Sequence, residues 1–168
     1  LMPTKVGNLT VQYIPLDDGS DPTASVVAIK KLISEENVDA IIGPSGSPNA
    51  MGVIQFAAEA GVPLLAPVGT AAVVLPMDDK KKWVFKTTQN DQLIADALVG
   101  HMAKHGIKTV GFIGSSDPYG ENWAKVFTES AGRKGIKVVA SERFQRSDSS
   151  VTAQGLKLLM AKPDAVLI

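Results

Sequence analysis

The chain has 168 residues, 45% of them hydrophobic and 20% charged, and its 17 basic residues balance 17 acidic ones to a net charge of zero. That profile describes a globular fold and carries no basic surplus of the kind that nucleic acid or an anionic membrane attracts. No apolar run reaches the roughly 18–20 residues of a membrane-spanning helix, and the lack of cysteine excludes disulfides, thiolate metal sites and thiol nucleophiles.

In chain order, an irregular lead over residues 1–8 precedes an apolar strand at 9–14. Ser20-Asp21-Pro22 is a helix-start signal with Asp21 as its cap, and Val26, Ile29, Leu32 and Ile33 supply the apolar face that follows. The strand-like run 39–42, with 40–42 reading as a buried parallel strand, runs straight into the turn Gly43-Pro44-Ser45-Gly46-Ser47-Pro48-Asn49. Pro48 suits the first residue of a helix capped by Ser47. A helix N-terminus presents unpaired N–H groups and a partial positive charge, so this turn suits an anion such as a carboxylate. Ala50, Val53, Ile54, Ala57 and Ala58 then repeat at i, i+3, i+4, i+7 and i+8, and Gly61 ends that helix.

A strand at 63–66 leads into a second polar turn, Pro67-Val68-Gly69-Thr70. Two polar turns at the carboxyl ends of consecutive strands mark the place where open α/β sheets hold ligands. Residues 76–82 read as a solvated loop. A strand at 83–87 precedes a helix with Ile94, Ala97, Leu98 and Met102 on its apolar face, closed by Gly106. A strand at 109–113, a helix faced by Trp123, Val126, Phe127 and Ala131 and closed by Gly135, and strands at 137–141 and 165–168 complete the chain. Strand starts recur roughly every 20–28 residues, the rhythm of βα units in a parallel, doubly wound α/β sheet with flanking helices. Both ends read as cut, so the sequence reads as an internal portion of a longer protein.

Enzyme signatures are missing from the sequence. There is no G-x-S-x-G elbow, no G-x-G-x-x-G and no phosphate-loop lysine motif. His101 and His105 stand at i, i+4, but Met102, Ala103 and Lys104 between them lack the glutamate of a zinc protease. Asp17, Asp18 and Asp21 cluster after a strand as a magnesium site would, although Asp21 reads better as a cap. No cofactor, metal or catalytic residue is expected.

Ile41-Ile42-Gly43-Pro44-Ser45-Gly46-Ser47, Gly61-Val62-Pro63-Leu64-Leu65-Ala66-Pro67 and Asp117-Pro118-Tyr119-Gly120-Glu121 resemble the periplasmic solute-binding proteins of ABC transporters, most of all the branched-chain amino-acid (Leu/Ile/Val) type. Residues 14–22 and Trp83-Val84-Phe85-Lys86-Thr87 match that family's order as well. The resemblance implies a type I periplasmic-binding fold, here incomplete, with residues 1–88 in a first lobe and 89–168 in a second. It implies ligand contacts from Ser47 to a carboxylate, from Thr70 through its hydroxyl and N–H, from the Val68 carbonyl to an ammonium, and from Tyr119 closing over the ligand. It also implies a periplasmic location, a small-molecule ligand (an amino acid or related carboxylate), an ABC permease as partner and no catalysis. Gly46 and Pro48 stand where relatives often carry a hydroxyl and a glycine, so a carboxylate without an ammonium is a second ligand class. A sensor domain of the same fold and a phosphate-handling α/β enzyme are the alternative functions. The bare final strand further predicts a strand-swapped dimer.

Overall fold

The structure, a computed structural model, describes residues 4–168; positions 1–3 of the lead lie outside the described residues. Two short strands, β1 (Lys5–Val6) and β2 (Leu9–Thr10), pair antiparallel as an exposed hairpin. The lead is therefore more regular than its sequence predicts, and the strand expected at 9–14 stops at Thr10. Beyond it the chain reaches α1 (Pro22–Ser34) with no further strand, and the first turn of that helix is capped by Asp21 accepting from the Ala24 N–H at 2.7 Å.

Strand β3 (Ile41–Ile42), helix α2 (Ser47–Ala60), strand β4 (Leu64–Ala66) and strand β5 (Val84–Lys86) form the first unit, a parallel sheet in the order β3-β4-β5. Ile41, Leu64 and Val84 lie side by side in register and are all buried, packed with Ile29 of α1 and Val53, Ile54 and Ala57 of α2. Period-two alternation sends their neighbours Ile42 and Phe85 to the opposite face, where they are 73% and 54% exposed. The expectation of a strand buried throughout is thus half right, because α1 and α2 both serve the same face. Gly61 ends α2 in the left-handed conformation at φ 68°, a shape that costs glycine nothing.

The second unit follows α3 (Asp91–Lys104). Strand β6 (Thr109–Ser115) runs between β7 (Lys137–Phe144) and β8 (Ala165–Leu167), all parallel, in the order β7-β6-β8. Helix α4 (Pro118–Arg133) covers one face, its Phe127 stacked on Phe112 of β6 with ring centroids 6.3 Å apart. Helix α5 (Thr152–Met160) covers the other, where a side chain at Gly111 would lie 3.0 Å from the Leu158 methyl. Helices on both faces make this sheet doubly wound, as its βα rhythm predicts. The α3 face is rotated from expectation: Ala95, Val99 and Met102 are buried while Ala97 is exposed. Asp91, buried at the helix start, lies on the side of α3 that meets α4 and accepts there from Asn122.

Phe127 is fully buried at the centre of the second core, so Phe127→Ala should cost about 3–5 kcal/mol, read as a lower urea midpoint at unchanged slope.

Candidate functional site

The residues that follow the carboxyl ends of β3, β4, β6 and β7 converge on one cavity of ≈ 290 Å³. Its wall comprises Asp18, Ser20, Ser45, Gly46, Ser47, Asn49, Gly69, Tyr119 and Arg146. Tyr119 and Arg146 come from the second sheet's loops and the rest from the first sheet's side, so both units close on one space. Strand-end loops gather this way because every strand within a parallel sheet points in the same direction.

Helix α2 supplies one wall. Its cap is Gly46, extended at φ −76° and ψ 130°, and Ser47 is already the first helical residue. This corrects the expectation that Ser47 caps the helix. The physical reason is that the Ser47 hydroxyl is engaged on another turn and not on its own helix end, while a side chain at position 46 would require Asn49, 2.7 Å away at Oδ1, to shift. Ser47, 3% exposed, instead points its hydroxyl at the neighbouring turn, where Oγ accepts the Thr70 N–H at 3.5 Å. Pro48 removes one N–H from this helix end, but the bond lost is one the first turn leaves open anyway.

The four residues expected to touch ligand divide into two pairs. Ser47 and Tyr119 are on the cavity wall. Thr70 and Val68 are fully buried behind it: the Thr70 N–H goes to Ser47 and its hydroxyl accepts from Ala72 N at 3.2 Å, while the Val68 carbonyl accepts the Thr88 hydroxyl. The second turn therefore braces Ser47 from behind. Tyr119 packs over Gly69, where a built Cβ would meet the ring at 2.9 and 3.0 Å.

Asp18, Asn49 and Arg146 also stand on the wall, and the sequence reading assigns none of them a ligand contact. Asp18 accepts from Ser25 Oγ, from Asn49 Nδ2 at 3.1 Å and from Ser20 N at 2.9 Å. The Ser25 hydroxyl and the Ser20 amide outweigh burial and, with Asn49, hold its carboxyl below the usual aspartate value, so it is ionised at neutral pH. Asn49, 3% exposed, also donates to Ser25 Oγ at 2.7 Å and ties α1, α2 and the Asp18 loop together. Opposite them, Arg146 Nε donates to Asp117 Oδ2 at 2.6 Å. Asp117 also caps α4 through the Tyr119 and Gly120 amides. Burial pushes the Asp117 carboxyl up, but the Gly120 amide, Arg146 and Ser115 together bring it below its ordinary value.

Beside the cavity, Asp91 is 2% exposed and accepts from Asn122 Nδ2 at 2.6 Å. Burial pushes its carboxyl up, against the opposing pull of Lys86 and the Asn122 bond. His101 and His105 stack at 4.2 Å on α3, away from the cavity wall, and no third ligand joins them: among the described residues no group of three or more His, Cys, Asp or Glu could hold a metal ion. Asp17, Asp18 and Asp21 spend their carboxylates on Gly19 N, on the Ser25–Asn49 network and on the α1 cap.

Comparisons with known proteins agree with this architecture. A family model described as periplasmic binding protein matches residues 4–168. An extracellular ligand-binding receptor from Rhodopseudomonas palustris HaA2 superposes with a TM-score of 0.94 at 45% identity, over 98% of this chain and 46% of that one. A solute-binding protein of an R. palustris ABC transporter, solved in complex with benzoate, superposes with a TM-score of 0.84 at 26% identity, over 97% of this chain and 45% of that one. A probable metabotropic glutamate receptor, mgl-1 of Caenorhabditis elegans, is 32% identical over 142 residues, 83% of this chain and 13% of that protein. The chain thus spans under half the length of these proteins.

Asn49→Ala would leave the Asp18 carboxylate and Ser25 short of a donor and should cost about 1–3 kcal/mol of stability at pH 7. The folded Asp18 pKa is depressed, so the stability it contributes is present above the unfolded value and is lost as pH falls through the folded one. The gap between variant and wild type should therefore narrow in urea titrations below about pH 3.9, the ordinary aspartate value.

Proposed function

Since the chain belongs to the periplasmic binding protein family, we propose that it forms the ligand-grasping part of an extracytoplasmic solute-binding protein. It captures a small carboxylate-bearing solute for an ABC permease and does not transform it. Residues 1–88 act as part of one lobe and 89–168 as part of a second, closing on the solute between them.

The observation that carries this reading is the cavity itself. It is polar, it is built from the strand-end loops of two separate sheets, and it is bounded on one side by the N-terminus of a 14-residue helix. Ser47 and the open amides of α2 suit the carboxylate, because hydroxyl and N–H groups are donors and the helix end is partially positive. Tyr119 seals the space over Gly69 from the second lobe. Thr70 and the Val68 turn serve binding indirectly by fixing Ser47.

Within carboxylates, the amino-acid class of the Leu/Ile/Val type is the reading for the natural solute, with the ionised Asp18 as partner for its ammonium. Carboxylates lacking an ammonium are the second class, supported by the benzoate-bound relative. The 32% identity to a probable glutamate receptor supports a second function, a sensor domain that signals on closure instead of delivering its solute.

Ser47→Ala in the full-length protein should weaken carboxylate binding by about 1.5–3 kcal/mol, the range for hydrogen bonds to charged groups. Calorimetric titration measures this on the folded variant. Unchanged affinity would remove Ser47 from the site.

A further inference from the structure

We infer that Arg146 is the specificity-determining residue with which the second unit grips the solute's anionic group, so that one carboxylate is held from both walls of the cavity. The inference deepens the proposed function and rests on it.

The chain has three arginines, and they are used differently. Arg143 spends Nε, Nη1 and Nη2 on Glu121, Ser141 and the Glu142 carbonyl. Arg133 spends Nη2 on Asp96 and Ser130 at the surface. Arg146 alone lines the cavity, and it commits only Nε, to Asp117. Among the described residues no protein acceptor takes its Nη1 or Nη2. Four N–H donors of a planar fork are left for whatever occupies the space.

The fork is also aimed. Asp117 is itself held by the Tyr119 and Gly120 amides and by Ser115 Oγ at 2.9–3.0 Å, so its Oδ2 is a fixed post for Arg146 Nε. Anchoring one edge of a guanidinium lowers the ordering cost of using the other edge. Across the cavity stand the α2 N-terminus and the hydroxyls of Ser45 and Ser47, a second set of donors. Donors on both walls, one wall a delocalised cation, are complementary to a planar anion taken two-pronged. The one carboxylate on the wall, Asp18, already accepts three hydrogen bonds, so it competes weakly for the guanidinium.

An anion gripped by both units also couples binding to closure. With the anion bound, the free edge of Arg146 and the helix-end donors each gain a partner that only the closed arrangement supplies. Ligand-dependent closure requires this differential interaction.

The test uses the full-length protein and isothermal titration with leucine, glutamate and benzoate, and with benzamide as an uncharged counterpart. For each acid that binds wild type, Arg146→Gln should raise Kd by about tenfold or more, the size expected for losing a charged hydrogen bond, and should flatten its salt dependence. Arg146→Lys should fall between the two, because it keeps the charge but not the fork. Benzamide affinity should be unmoved. Arg146 is largely solvent-exposed and its ion pair contributes little to folding, so an unchanged melting temperature of the unliganded variant is expected. If an acid binds wild type and Arg146→Gln alike, with equal salt dependence, the role of Arg146 is overturned while the carboxylate reading stands. If no acid binds wild type at millimolar concentration, both are overturned.

Discussion

The arrangement of the whole cavity depends on how closely Tyr119 can approach the backbone at Gly69. The ring edge lies 2.9 Å from an ideal Cβ at Gly69, closer than side chains tolerate, and the Asp91 carboxylate stands 3.3 Å from the same point. Nothing about the Gly69 backbone conformation demands glycine; the space does. A ring seated there brings the start of α4 against the turn after β4, and with it the loop that carries Arg146 over the end of α2. Two sheets that share no strand thereby come to enclose one volume.

Electrostatics follow from that closure. Each wall satisfies its own charge before a ligand arrives: Asp18 through Ser25, Ser20 and Asn49, and Arg146 through Asp117. A cavity that held an unpaired charge would be costly to desolvate on closing. Here each charge is stabilised at its back while part of its surface still faces the space. That is a preorganised polar site, in which donors need not be reoriented when the solute enters. Asn49 is central to the arrangement because it ties Asp18 to Ser25 and lies over residue 46, where glycine leaves it room.

Much of the fold was legible because it rests on local signals. Asp21 before Pro22, the 3.6-residue spacing of Val53, Ile54 and Ala57, and glycines at 61, 106 and 135 each act within one turn of chain, and the glycines all take positive φ as helix ends do. Failures came where a distant contact decides. The apolar run at 9–14 has strand chemistry, but only Leu9–Thr10 joins a sheet ladder, and strand propensity without a ladder does not make a strand. Ser47 had the composition of a cap, but its hydroxyl is taken by the Thr70 N–H of the next turn, and Gly46 holds the position. Ile42 is as apolar as Ile41 yet exposed, because which face a helix covers is set by the chain's path. Of the candidate site, Ser47 and Tyr119 could be named from turn chemistry and family order. Asp18 and Arg146 could not: they are separated by more than a hundred positions, and neither has a neighbour in sequence that points to the other.

The central claim is that one small acid touches loops of both sheets at once. Amide and tyrosine-ring chemical-shift mapping of the full-length protein, titrated with leucine and with benzoate, tests it directly. The account predicts that the signals of Ser45, Gly46, Ser47, Gly69, Tyr119 and Arg146 shift together, at a single saturating concentration, for whichever acid binds. Shifts confined to one sheet's loops, or centred elsewhere on the molecule, would contradict it.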